Sequence, residues 1–134
     1  MIVVDASVVM TALLVDGRQG DAAREVLQLG ELHAPHLLDV EATSAVRRWV
    51  LRGQLAGDAA GSILDDLRDL AISRHGHDLL LGRVLELRDS VSAYDGYYVA
   101  LAELLDVPLV SADVRLSRAA GLRCRVLLPD RGRT

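Results

Sequence analysis

Phenylalanine and lysine are absent from this 134-residue chain, and cysteine, tryptophan and proline are scarce, at one, one and three residues. With no Phe, and only Trp49, Tyr94, Tyr97 and Tyr98 as aromatics, the core has to be built from Leu, Val and Ala. That inventory suits helices packed on a buried parallel sheet, whose strands read as short continuous apolar runs. The lone Cys124 excludes an intramolecular disulfide and a cysteine-based zinc site; it reads as a small apolar side chain buried beside a strand. No apolar run approaches the length that spans a bilayer. Only four residues precede Asp5, too few for the apolar stretch of a signal peptide. A cytoplasmic chain with no membrane contact is the expectation.

The formal net charge of −4 argues against gripping nucleic acid through bulk positive charge. It leaves nucleic acid open, because a bound divalent cation reverses the local sign of an acidic cleft. All fifteen basic residues are Arg. Arg presents a rigid bidentate fork to phosphate, though genomic base composition produces the same bias.

Hydropathy patterning predicts strands at residues 2–4, 32–34, 71–73, 109–111 and 125–128. Helices are predicted over 7–14, 21–29, 37–51, 59–70, 78–87, 94–105 and 116–120, with turns around 16–20 and at His75-Gly76-His77. Strands alternating with helices make βαβ units and a parallel sheet covered on both faces. With no internal repeat, linker or low-complexity segment, residues 1–134 read as a single α/β domain with a frayed tail from 129 onward.

Ligands of open α/β sheets bind outside the carboxyl ends of the strands, where strand order reverses. Asp5 and Asp113 follow predicted strands directly, while Glu41 and Asp95 fall in first turns of helices. Each has an ordinary structural reading. Asp5 and Asp113 could be N-caps, Asp95 could close a capping box with Ser92, and Glu41 could complement its helix dipole. Together they mean more. A hard cation such as Mg²⁺ takes carboxylate oxygens and keeps waters, and further carboxylates orient or deprotonate a water. Crowded carboxylates also repel one another, so a purely structural role does not favour gathering them.

The segments Val3-Val4-Asp5-Ala6-Ser7, Leu38-Asp39-Val40-Glu41, Ala93-Tyr94-Asp95-Gly96-Tyr97-Tyr98-Val99-Ala100-Leu101-Ala102 and Val110-Ser111-Ala112-Asp113 resemble the PIN domain, in particular the VapC toxins of bacterial toxin–antitoxin pairs. The resemblance covers nearly the whole chain, in order. It implies a three-layer α/β/α fold around a five-stranded parallel sheet of order 3-2-1-4-5. It also implies a Mg²⁺- or Mn²⁺-dependent endoribonuclease acting on RNA such as tRNA or rRNA and leaving 5′-phosphate and 3′-hydroxyl ends. By the same resemblance the chain is a homodimer held inactive by a VapB-type antitoxin, through which alone it reaches operator DNA. The family's metal-binding and catalytic positions fall on Asp5, Glu41, Asp95 and Asp113. Ser111 stands where Thr is common, and Ser7 and Ser111 are candidates to orient those carboxylates. The rival reading is a catalytically silent PIN-like module that binds RNA or protein. A response-regulator-like phosphotransfer domain is excluded because it needs a Lys.

Helical geometry puts Arg48 and Arg52 within ~20° of Glu41 around the axis, with Arg48 ~10 Å along it. They are candidates to hold RNA phosphates, or to make surface ion pairs. Asp39 reads as a helix cap and Asp89 as lying beyond a helix end. Tyr94, Tyr98, Leu101, Ala102 and Leu105 make a core stripe, Tyr97 falls off it, and Trp49 reads as core. His75 and His77 read as solvated turn residues. The four histidines show no metal-ligand spacing, and there is no nucleophilic triad or Gly-rich phosphate loop.

Overall fold

The computed structural model describes residues 1–129; the tail beyond, which includes most of the segment expected to fray, lies outside the described residues. Strands β1 (Ile2–Val4), β2 (Leu32–Pro35), β3 (Ile72–His75), β4 (Leu109–Val110) and β5 (Val126–Leu127) form one sheet in the order β3-β2-β1-β4-β5. Every neighbouring pair is parallel. The helices are α1 (Ala6–Leu14), α2 (Arg18–Val26), α3 (Leu37–Leu51), α4 (Gly57–Asp69), α5 (Leu81–Glu86), α6 (Ala93–Leu105) and α7 (Val114–Ser117).

The central strand explains the layering. Successive side chains of a strand point to opposite faces, and β1 is buried on both. Ile2 and Val4 enter one core with Val8, Val9, Leu38, Ala42 and Val46 from α1 and α3. Val3 enters the other with Leu80, Val84, Tyr98, Val99 and Leu101, from α5, α6 and the turn before them. Two cores back to back across one sheet make the three-layer α/β/α architecture, and the observed strand order is the one the resemblance implied. Among the described residues no helix is long and apolar enough to cross a membrane.

Several local readings need correction. Helix α2 begins at Arg18, three residues before the expected start. Gly20 had been read as part of a turn, but it lies inside the helix. A Cβ there would stand 1.7 Å from the carbonyl oxygen of Val15. Arg24 of α2 also donates to that carbonyl and to Ala12 O, at 3.0 and 2.9 Å. Gly20 is therefore required by the close approach of α1 and α2. Tyr94 is 62% exposed rather than core, because α6 turns its next residues, Tyr98 and Leu101, inward. Trp49 is only half-buried, and Val50 takes the packing position beside Val46.

The histidines are not solvated turn residues either. Strand β3 runs on to His75, whose Nε2 lies 2.8 Å from Nδ1 of the buried His33. His77 Nε2 accepts the backbone N–H of Leu37 at 3.0 Å, and its ring packs against Tyr97. The first turn of α3 is thus satisfied by His77. Asp39 instead pairs with Arg74 of β3 at 2.8 Å. Asp89 lies beyond α5, as expected. Cys124 is half-buried two residues before β5, and burial pushes its thiol up to about 11.

Replacing Gly20 by Ala forces α2 away from the end of α1. Gly20→Ala is expected to cost about 2–4 kcal/mol, the range of severe backbone and overpacking changes. Urea unfolding of the two proteins measures it, and an unchanged midpoint would contradict the close approach described.

Candidate active site

Strand order reverses between β1 and β4, so the chain leaves these neighbours in different directions and opens a crevice at their carboxyl ends. Asp5 follows β1 directly, and its N–H donates to Val110 O of β4 at 3.3 Å. Its side chain is 6% exposed and caps α1: Oδ1 accepts the N–H of Val8 at 3.1 Å and the hydroxyl of Ser7 at 2.6 Å. Asp113 caps α7, accepting the N–H of Arg115 at 2.9 Å.

Two serines tie these loops together. Ser7 Oγ accepts the N–H of Ala112 at 3.2 Å, so a residue after β1 holds the loop after β4. The fully buried Ser111 works in the other direction, hydrogen-bonding Asp5 while accepting the N–H of Asp113 at 3.0 Å. Neither serine points at an imidazole; both serve the carboxylates.

Asp95 enters from the first turn of α6, which Ser92 caps by accepting the Asp95 N–H at 3.2 Å. One turn later, the buried Tyr98 reaches across to α3 and donates its phenol to Glu41 Oε1 at 2.7 Å. The phenolic oxygen also bonds to the backbone of Ala6 at the start of α1. Tyr98 therefore joins α6, α3 and α1 at one point and fixes Glu41 beside the crevice. A shallow cavity of about 280 Å³ lies alongside, lined in part by Ser92, Asp95, Asp113 and Arg115.

The electrostatics report how near these groups are. Burial pushes the Asp5 carboxyl above the ordinary aspartate range, opposed by the bonds from Ser111, Ser7 and Val8, and the charge of Asp95 pushes it further up. Asp95 is raised by burial and then by the charge of Asp113, with Ser92 and Arg115 acting in the opposite direction. The Tyr98 phenol is raised by burial and by Glu41, and feels Asp5 as well, so it stays a donor. Asp95 is thus in electrostatic reach of both Asp5 and Asp113, and the Tyr98 phenol feels both Glu41 and Asp5. Among the described residues no three His, Cys, Asp or Glu side chains stand close enough to hold a metal ion.

Arg48 lies farther along α3 and Arg52 caps its C-terminus; both are exposed, and Arg48 donates to Ser44 at 3.1 Å. Two residues of the site were missed in the sequence. The apolar stripe marks Tyr98 as core alone, although a buried phenol needs a partner. Arg115 carried no periodic signal, and only its place two residues after Asp113 could have flagged it.

Asp5 is a source of pH-dependent stability in the metal-free protein. Its pKa in the fold lies above the unfolded value. Its contribution to stability is therefore complete below the unfolded pKa and is lost as pH rises through the folded one. Asp5→Asn keeps an acceptor for Ser7 and Val8 without the charge. In EDTA its Tm is expected to exceed the wild-type value at pH 7.5, the gap closing as pH falls toward 4. A gap independent of pH would remove the buried charge as its cause.

Residues 2–122 match the PIN domain family. The chain is 42% identical to Ribonuclease VapC9 of Mycobacterium tuberculosis over 131 residues, 98% of this chain and all of that one. Among solved structures, the sarcin-ricin-loop-cleaving toxin VapC20 of M. tuberculosis aligns with a TM-score of 0.70 at 13% identity, covering 93% of this chain and 99% of that one. VapBC2 from Rickettsia felis, bound to promoter DNA, aligns with a TM-score of 0.70 at 12% identity, covering 96% and 98%. These likenesses at low identity are of fold; the 42% relative carries the family. With its strand order, its strand-end aspartates and this relationship, the chain belongs to the PIN-domain family and, within it, to the VapC ribonucleases.

Proposed function

We propose that residues 1–134 form a single PIN domain that acts as the toxin of a type II toxin–antitoxin system, an endoribonuclease dependent on Mg²⁺ or Mn²⁺. What supports this reading is that Asp95 lies in electrostatic reach of both Asp5, which follows β1, and Asp113, which follows β4, at the switch point of the sheet. Their donors are carboxylate oxygens flanked by serine hydroxyls, a set that fits a hard divalent cation. Asp5, Asp95 and Asp113 would hold the ion, with Glu41 as a fourth carboxylate. When bound, such an ion lowers the pKa of a water and neutralises charge growing on the attacked phosphate.

The protein's own groups do the remaining work. Ser7 and Ser111 orient the Asp5 carboxylate and hold the two loops in register. Glu41, held through Oε1 by Tyr98, positions the attacking water or accepts its proton. Water oxygen bonds to phosphorus as the 3′ oxygen departs with a proton, leaving 5′-phosphate and 3′-hydroxyl ends. Arg48 and Arg52, on the Glu41 side of α3, hold flanking phosphates of the tRNA or rRNA substrate.

The solved VapBC2 complex on promoter DNA supports a VapB-type antitoxin as partner, with operator DNA reached through that antitoxin. A cytoplasmic homodimer completes the reading.

Asp95→Asn, with the fold intact by circular dichroism, is expected to lower RNA cleavage by at least 10³-fold, and EDTA should silence the wild type. Cleavage surviving either treatment would falsify the metal-dependent mechanism and favour a silent binding module contaminated by another nuclease. In the same assay Arg48→Ala is expected to raise KM several-fold at constant kcat. Tyr98→Phe loses one hydrogen bond to a charged group, worth about 1.5–3 kcal/mol. It is expected to lower kcat by about 10–100-fold; a wild-type kcat would show that Glu41 needs no anchor. Mapping new 5′ ends in total RNA after brief expression identifies the target.

A further inference from the structure

Arg115 holds an unusual position at this site. Its backbone is pinned, because its N–H is the group Asp113 accepts in capping α7. Its side chain, by contrast, is 93% exposed. It touches Asp113 only at the limit of bonding, Nε to Oδ1 and Nη2 to Oδ2 at 3.5 Å each. It is nonetheless close enough that its charge lowers the Asp95 carboxyl, and it lines the cavity that Asp95 and Asp113 share. A firm ion pair would be shorter, near 2.7–2.9 Å, as Arg83 and Glu103 are at 2.6 Å elsewhere in the molecule.

We propose that Arg115 is a two-position residue. In the metal-free protein it is the mobile counter-ion of Asp113 and Asp95, and once a divalent ion claims those carboxylates it turns onto a phosphate of the bound RNA. The inference rests on the nuclease reading and deepens it. A loosely held guanidinium competes with a metal for the same carboxylates, then finds itself beside a cation-filled cleft where only an anion is welcome. An RNA phosphate entering the cavity is that anion, and it matches the planar fork of arginine. The same side chain thus weakens metal binding without substrate and strengthens substrate binding with metal. No merely structural residue has both effects.

Two measurements separate the halves. Calorimetric titration of RNA-free protein with Mn²⁺ should show Arg115→Ala binding the ion about three- to ten-fold more tightly than wild type. In Mn²⁺, with a defined single-stranded RNA, Arg115→Ala should lower kcat/KM by about ten-fold, mostly through KM. The slope of log kcat/KM against log salt should shrink by about 0.7, the loss of one phosphate contact on a single strand. Arg115→Lys should restore the slope and the wild-type Mn²⁺ affinity while recovering only part of kcat/KM, because it keeps the charge and loses the fork. Unchanged Mn²⁺ affinity in Arg115→Ala overturns the counter-ion half. An unchanged salt slope, or a defect confined to RNAs with one particular base beside the cut, overturns the phosphate half. A wild-type protein that binds Mn²⁺ and cleaves no RNA defeats the nuclease reading together with the phosphate half, and the titration still decides the other.

Discussion

A carboxyl group buried at the end of the central strand is expensive to ionise, and the loops on either side of it are organised around making that tolerable. Taking a carboxylate out of water costs several kcal/mol even after relaxation. Asp5 meets that cost with three donors, the hydroxyls of Ser7 and Ser111 and the N–H of Val8. Those bonds also start α1 and lock the loop after β4 to the loop after β1. Fold and site are therefore not separable here: the residues that stabilise the charge are the ones that shape the crevice.

The remaining acidic residues come from different elements. Asp113 comes from the neighbouring strand, Asp95 from a helix start on the second core's side of the sheet, and Glu41 from the helix on the opposite face. Tyr98 spans that separation, since its ring packs in the core with Val3 and Val84 while its hydroxyl bonds Glu41. Its burial serves two purposes, apolar packing through the ring and orientation through the oxygen. Among the described residues this negative charge meets hydrogen bonds and the loosely held guanidinium of Arg115.

Much of this was visible in the primary structure, for identifiable reasons. A buried parallel strand must be a short apolar run, so Ile2–Val4 and Leu109–Val110 announce themselves, and an aspartate just beyond each is conspicuous. The Tyr94–Leu105 pattern was legible as a helix because the 3.6-residue period is carried by many residues. Which tyrosine faces inward was not, because Tyr94 and Tyr98 share one stripe and only the position of the helix end on the sheet leaves the first of them in solvent. Gly20 was misread for a related reason. A glycine needed for the approach of two helices looks in one dimension like a glycine needed for a turn.

The histidines mark the same boundary between local and non-local information. His33 and His75 lie far apart along the chain and meet because β2 and β3 pair in parallel; the same pairing sets His77 against the first turn of α3 and Arg74 against Asp39. The amino-acid sequence alone determined the alternation of strands and helices and the family. Those are set by periodicity and by short motifs that each segment carries within itself. Tertiary structure alone decided that Tyr98 holds Glu41, that Ser7 and Ser111 bind the two loops together, and that Arg115 comes within electrostatic reach of Asp95. Each of those contacts depends on the direction of a side chain, and that direction is fixed only when distant segments pack against one another.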